Sequence, residues 1–279
     1  MIIQPNPGPV PEFAIPDVDR VSALIRDVAE TEILPYFRDL ANAGIREKTG
    51  PSDLVTLADE AAERALTPRL MDLLPGSTVV GEEAVSADKT LLDRLHGDAP
   101  VWIIDPIDGT INFANGRPLF AVIVALARAG ETLAGWIYDP CDGRLATAVK
   151  GQGTFLNGKR VHVPPAVPLP EMVGALSTRF CEESLGRQLD ERGKALGPRA
   201  CLSSAAQEYL RLLEGRAHYS LYHRLMPWDH AAGVLLHAEA GGYSALFDGS
   251  PYRPTVLGGG VMMAPDRDSW QALHRQLFG

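Results

Sequence analysis

Apolar residues recur at three- and four-residue steps from Asp17 onward, at Val18, Val21, Leu24, Ile25, Val28, Ile33 and Leu34. That period predicts an amphipathic helix. Pro35 should kink it, because proline removes an amide donor and crowds the preceding turn, and Ala43-Gly44 should end it. The polar run Arg46 to Ser52 reads as a Gly-Pro-punctuated loop, followed by a short strand at Leu54-Val55 and a helix from Ala58 to Leu74. Thr78-Val79-Val80 and Val101-Trp102-Ile103-Ile104 read as buried strands, each running straight into acids. Three alternating segments follow at 120–127, 132–138 and 145–149, separated by turns at Ala129-Gly130 and 139–143, and they predict an antiparallel meander closed by an Asn157-Gly158 hairpin turn.

Beyond that meander the pattern changes. Strands are expected at 173–176, 200–202, 217–221, 243–247 and 260–263, alternating with helices from Glu182, over 205–213, over 228–240 and after Asp266. Four prolines within 163–170 mark the best internal boundary, so the expected division is an N-terminal α+β part over 17–163 and a C-terminal α/β part over 171–279. Residues 4–16 hold five prolines and one glycine, so 1–16 is expected to be a mobile arm.

Composition narrows the function classes. With 279 residues, 46% hydrophobic and 22% charged, the chain can build an ordinary core. Lys plus Arg is 26 against 35 Asp plus Glu, a formal charge of −9, which argues against nucleic acid as a partner because phosphate backbones need a basic footprint. No stretch approaches the ~18 apolar residues of a membrane span, and the opening residues lack the cationic start and apolar run of a secretory leader. Cys141, Cys181 and Cys201 are odd in number and widely spaced, which fits reduced thiols in a cytoplasm better than disulfides or zinc.

The chemical signal lies in acids at element ends. In Asp105-Pro106-Ile107-Asp108-Gly109-Thr110, Pro106 holds Asp105 extended, a tight bend lets Asp108 return to the same space, and Gly109 and Thr110 open a helix whose amides suit a phosphate oxygen. The pair alone would equally make a good turn. Glu82 and Glu83 follow another strand, which a parallel pairing would bring beside Asp105, while Asp229 and Asp59 stand at helix starts, where acids commonly cap. Gathered together, such acids need compensating positive charge, and a hard cation such as Mg²⁺ supplies it. Gly151-Gln152-Gly153 reads as a hairpin end or, more weakly, as a phosphate loop. His230 and His237, which share one helix face at i, i+7, read as packing or capping residues, and Trp102 and Trp228 as core.

Gly81-Glu82-Glu83, the run Trp102 to Phe113, Pro227-Trp228-Asp229-His230-Ala231-Ala232-Gly233 and Glu239-Ala240-Gly241-Gly242 resemble the signatures of the inositol monophosphatase family, as do 48–56 and 151–158. The resemblance implies a layered α-β-α-β-α sandwich and a Mg²⁺-dependent, lithium-sensitive phosphomonoesterase, cytoplasmic and homodimeric, acting on a small phosphorylated substrate. It implies that Glu82, Asp105 and the Ile107 carbonyl hold one Mg²⁺, that Asp105, Asp108 and Asp229 hold a second, and that a third shares Glu82. Thr110 and Asp59 would position and deprotonate the attacking water, the amides of Gly109 and Thr110 would hold the phosphate, and Lys48 would sit on a mobile loop that closes over the site.

The chain also departs from that pattern. Tyr222 stands where inositol-handling members carry a glutamate for a substrate hydroxyl, Ser203-Ser204-Ala205-Ala206 replaces a Gly-Ser/Thr-Ala-Ala segment, and Ile111 replaces a second threonine. Ser203, Ala205 and Tyr222 are therefore the expected leaving-group pocket. A small polyol or sugar phosphate is the expected substrate. Histidinol phosphate, 3′-phosphoadenosine 5′-phosphate and fructose 1,6-bisphosphate are the other substrates considered, and a non-catalytic homologue is the reading from another class.

Overall fold

The computed structural model describes residues 14–50 and 53–279. Helix α1 spans Val18–Val28, capped by the Asp17 side chain, which accepts from the Arg20 amide at 2.9 Å. The expected kink at Pro35 is real and takes the form of a π-helical turn over Ala29–Ile33 before α2, Leu34–Arg38. The short strand expected at Leu54-Val55 is present as β2, Asp53–Val55, but residues 46–50 of the expected loop form a strand of their own, β1, Arg46–Gly50, which pairs with β2 as a hairpin. Helix α3 spans Leu57–Leu73. Of the expected proline-rich arm, residues up to 13 lie outside the described residues, as does the side chain of Lys48 on β1.

Strand β3, Thr78–Gly81, leads into α4, Glu82–Ala87, and β4, Val101–Asp108, leads into α5, Thr110–Ala114. Strands β5, Ala121–Arg128, β6, Glu131–Asp139, β7, Arg144–Val149, β8, Gly153–Leu156, and β9, Lys159–Val161, form the meander. Together β3 to β9 make one seven-stranded sheet in chain order, antiparallel except where β3 runs parallel to β4. The second sheet contains β10, Gly174–Leu176, β11, Tyr219–Tyr222, β12, Tyr243–Leu246, and β13, Val261–Ala264, in the order β10-β11-β13-β12. Residues 200–202, expected as a strand, join neither sheet. Arg199 makes a single bridge to Gly174, and the chain then turns into a helix.

Four further helices complete the layers: α6, Glu183–Arg192, α7, Ala205–Leu213, α8, Pro227–Glu239, and α9, Arg267–Phe278. The continuous apolar run of β4 is explained by burial on both sheet faces. Trp102 and Ile104 pack against α1 and α3, whereas Val101 and Ile103 point the other way, into a core shared with α7, α8 and the second sheet. The far face of the second sheet is covered by α6 and α9 through Leu189, Trp270, Leu273 and Leu277. The result is the expected α-β-α-β-α order. Among the described residues no helix is long and apolar enough to cross a membrane.

Helix α8 rests directly on β6. A Cβ placed on Gly135 would lie 2.9 Å from Ala232 Cα, so only glycine allows this approach. Gly135→Ala should therefore cost about 1–3 kcal/mol, the usual penalty of overpacking. Denaturant titration checks this, and an unchanged midpoint would show that the two elements are not in contact.

Candidate functional site

Two acids three residues apart on an unbroken strand would face opposite sides of the sheet, because side chains alternate. Here Asp105 pairs with Ile123 and Asp108 with Ala121, so three steps along β4 match two along β5. The extra residue is a bulge, it contains Pro106, which has no amide to lose from the ladder, and it returns Asp105 and Asp108 to the same side. The Ile107 amide donates to Asp105 Oδ1 at 3.0 Å, and the Ile107 carbonyl accepts from Thr110 Oγ1 at 3.0 Å. Gly109 follows with φ +94°, a left-handed conformation, and a Cβ there would meet the Leu119 carbonyl oxygen at 2.8 Å.

Asp108 also serves as an anchor. Its carboxylate accepts from the Ser204 hydroxyl and from the amides of Ala205 and Ala206 at 3.1 and 2.8 Å, so it caps α7 from outside that helix. Ser204 in turn accepts from the Gln207 amide at 3.1 Å. Asn112 ties α5 to the same loop, donating to the carbonyls of Leu119 and Leu202, each at 2.8 Å.

Glu82 arrives by the parallel pairing anticipated from the sequence: Gly81 lies opposite Ile104, so the residue after each strand enters the same space. Buried Glu63 of α3 accepts from the amides of Glu83 and Ala84 at 2.8 and 2.9 Å, fixing where α4 begins. A Cβ on Gly81 would collide with that carboxylate. Asp59 makes two contacts. It forms a capping box with Thr56, whose amide donates to Asp59 Oδ2 at 2.8 Å, and its Oδ1 lies 3.5 Å from Thr110 Oγ1. Asp229 opens α8 without accepting a cap bond from the N-cap residue, Met226.

Asp105, Asp108 and Asp229 each offer an oxygen within 4.8 Å of the others'. Burial, followed by the nearby charges of Glu82, Asp108, Asp229 and Asp59, holds Asp105 well above the usual carboxylate range. Burial also raises Asp229, with Asp108 adding to the rise and Arg224 opposing it. Asp108 is pushed by burial to about 6, against the lowering effect of its bonds from Ser204, Ala206 and Ala205. Two oxygens on one Mg²⁺ are at most about 4.2 Å apart, so modest side-chain rotation would let this all-oxygen set share a hard divalent ion. The donor set thus fits Mg²⁺.

These acids border a cleft of about 340 Å³, the scale of a small-ligand pocket. Ser203, Ala205 and Tyr222 line it, as do Gly109 and Thr110. Ser203 is exposed with φ +56°, while the Ala205 amide is already engaged by Asp108. Tyr222 packs against His230, ring centroids 4.7 Å apart, and stacks on Tyr209 at 6.2 Å. Its phenol is held neutral by burial and by Glu208, so tyrosine keeps another negative charge out of this wall. Glu208 is itself raised to about 7 by burial, opposed by the Leu202 amide and Arg211.

The Gly151-Gln152-Gly153 turn is a hairpin end whose glycine amides are taken: Gly151 and Gly153 donate to the Glu239 carboxylate at 2.7 and 2.8 Å. His230 and His237 are buried, as their packing role requires, and so are Trp102 and Trp228. Sequence reasoning gave Glu63 and Glu208 no part in the site, and it named Ser204 and Asn112 without the bonds they make to Asp108 and to the Leu119 and Leu202 carbonyls. Only Ser204 carried a local signal, as a helix-opening serine.

Raised carboxylates have a definite linkage sign. Over the window between the ordinary and the raised value, the folded chain binds more protons than the unfolded one, so stability falls as pH rises. For Asp108 the window runs from 3.8 to about 6, on the order of 3 kcal/mol once fully crossed. His230 and His237, lowered by burial to about 4 and about 3, act oppositely, but only below their ordinary value of 6.5. Above pH 6.5 the histidines no longer oppose, so in EDTA the melting temperature should decline as pH rises through the raised Glu208, at about 7, and the raised Asp105 and Asp229, and the gain on adding Mg²⁺ should be larger at pH 8 than at pH 6. A Mg²⁺ gain independent of pH in thermal melts would mean that the carboxylates are not what the ion meets.

Comparison with known proteins agrees with this architecture. The sequence profile described as the inositol monophosphatase family matches residues 17–278. A Thermotoga maritima protein named fructose-1,6-bisphosphatase/inositol-1-monophosphatase is 34% identical over 205 residues, covering 74% of this chain and 76% of that protein. The inositol-1-monophosphatase of Caulobacter vibrioides is 35% identical over 238 residues, covering 83% and 88%. Among solved structures, the extragenic suppressor protein suhB of Bartonella henselae superposes with a TM-score of 0.82 at 26% identity, covering 94% of this chain and 98% of that one. Profile, relatives and architecture concur, and the chain belongs to the inositol monophosphatase family, whose members are phosphatases.

Proposed function

We propose that the chain hydrolyses a small polyol or sugar phosphate monoester, with inositol 1-phosphate the first substrate to test, in a Mg²⁺-dependent in-line displacement by water. The observation that carries this reading is the convergence of Asp105, Asp108 and Asp229 at one wall of a ligand-sized cleft. Glu82, Asp105 and the Ile107 carbonyl would hold one ion, Asp105, Asp108 and Asp229 a second, and a third would share Glu82. When bound, the ions supply positive charge to a phosphate ester and acidify nearby water.

The chain's own groups would do the rest. Thr110 Oγ1 would accept a hydrogen bond from the attacking water and turn its own proton from the Ile107 carbonyl toward Asp59 Oδ1, which lies 3.5 Å away. The Thr56 amide and hydroxyl both donate to Asp59 Oδ2, which leaves Oδ1 as the oxygen nearer Thr110. The amides of Gly109 and Thr110 would receive the phosphate, with Lys48 on the hairpin that closes over the site. Ser203, Ala205 and Tyr222 would face the leaving group.

In this reading the site is assembled across the join of the two expected parts, 17–163 supplying Asp59, Glu82, Asp105 and Asp108, and 171–279 supplying Asp229. The enzyme would work as a homodimer in the cytoplasm, as the family resemblance implies. The name of the Thermotoga relative supports sugar phosphates as well as inositol phosphate.

A panel of phosphomonoesters assayed with Mg²⁺ should show phosphate release that EDTA abolishes. Asp105→Asn should lower kcat by about 10³-fold or more, a loss of about 4 kcal/mol in transition-state stabilisation, yet melt at a higher temperature than the parent in EDTA because one buried charge is gone. Near-normal turnover in this variant would eliminate the shared-carboxylate reading. Lithium at millimolar concentration should inhibit, and a flat lithium titration would count against the family-type ion arrangement.

A further inference from the structure

The helix whose start holds Asp108 is itself gripped along its length by one guanidinium. Arg144 opens β7, directly opposite Asp139 at the end of β6. Its Nη2 donates to Asp139 Oδ2 at 2.6 Å and to Gln207 Oε1 at 2.7 Å, while its Nη1 donates to Glu214 Oε1 at 3.0 Å. Gln207 lies in the first turn of α7 and Glu214 is the residue that ends it. Seven residues apart, they are separated by two turns and about 10 Å of helix axis, so both side chains lie on the side of α7 that meets this hairpin. The planar fork of an arginine serves several acceptors in fixed directions at once, which the point charge of a lysine does not.

Little of this cluster reaches water: Asp139 and Gln207 are buried outright, and the Arg144 side chain is 14% exposed. Gln207 uses every polar atom of its side chain. Its Nε2 donates to Asp139 Oδ2 at 2.9 Å and to the Phe120 carbonyl at 3.1 Å, while its Oε1 faces Arg144. Arginine can only donate, so Arg144 decides which way round this amide lies. From Gln207 the line continues to the cleft. Its backbone amide donates to Ser204 Oγ at 3.1 Å, and the Ser204 hydroxyl donates to Asp108 beside the amides of Ala205 and Ala206. The Phe120 carbonyl held by Gln207 follows Leu119, whose own carbonyl bounds the space at Gly109. Desolvating such charges offsets most of their attraction, so the cluster is a poor source of stability and a good means of fixing one seat for a helix.

We infer that Arg144, acting through Gln207, is a positioning residue: it seats the first turn of α7 and thereby sets the direction in which Asp108 presents its carboxylate to a divalent cation. The inference rests on the reading of Asp108 as a Mg²⁺ ligand, and it assigns the aim of that ligand to a residue outside the cleft lining.

Two variants separate this role from simple support. Gln207→Met keeps a similar volume and leaves Arg144 on Asp139 and Glu214, so it cuts only the link. Arg144→Lys keeps the charge and loses the fork. Mg²⁺ binding without substrate, read by isothermal titration calorimetry, should weaken about tenfold in Gln207→Met and severalfold in Arg144→Lys, the scale on which residues behind a metal ligand act. In turnover, the Mg²⁺ concentration for half-maximal phosphate release should rise by a like factor, with kcat at saturating Mg²⁺ and KM for the ester close to the parent's. Variants that melt at lower temperature yet bind Mg²⁺ as the parent does would overturn the proposal. A parent that binds Mg²⁺ but releases phosphate from no ester would overturn the hydrolase reading and leave this one standing, whereas a parent that binds no Mg²⁺ would overturn both.

Discussion

Mutual repulsion among carboxylates sets the terms for the rest of this molecule. Asp105, Asp108 and Asp229 converge where water is largely excluded, with Glu82 and Asp59 close enough to raise Asp105 further. Like charges in such a place are costly unless the backbone, helix termini or a cation offset them. The fold supplies part of the offset: the amides of Ala205 and Ala206 at the start of α7 meet Asp108, and the Thr56 amide meets Asp59. Asp105 receives the Ile107 amide at 3.0 Å and shares a side-chain hydrogen bond with Asp229, and it is the acid on which the other four charges bear. A hard divalent ion is the chemical answer to that residual imbalance.

The scaffold around the site is correspondingly inflexible. Each acid sits at an end of an element whose other end is deep in a core, β3 and β4 in the large sheet, α3 on one face of it and α8 on the other. Close approaches without a Cβ hold these elements in place: Gly81 against Glu63, Gly109 against Leu119, Gly135 against Ala232. Repositioning any one would shift a carboxylate by an appreciable fraction of an ångström, enough to spoil shared coordination or proton transfer.

Tyr222 keeps the negative charge of the cleft from growing. It stacks on Tyr209, packs against His230 and lies beside Glu208. A charged side chain there would join an already overcharged wall.

Much of this was present in the one-dimensional pattern. Periodicity placed nearly every helix and strand within a few residues, because both faces of β4 and one face of each major helix must be apolar to be buried. Acids directly after β3 and in the last part of β4 announced the site, since the two strands run parallel and side by side. Strand β1 and the irregular stretch 200–202 were misread because backbone pairing there is decided by neighbours, not by local composition. Three-dimensional placement alone decided that a bulge at Pro106 turns Asp108 back beside Asp105, that Asp108 caps a helix nearly a hundred residues away, and that Arg144 meets Gln207 and Glu214 on that same helix. Those are contacts between distant segments, and a sequence records the partners without recording which of them will touch.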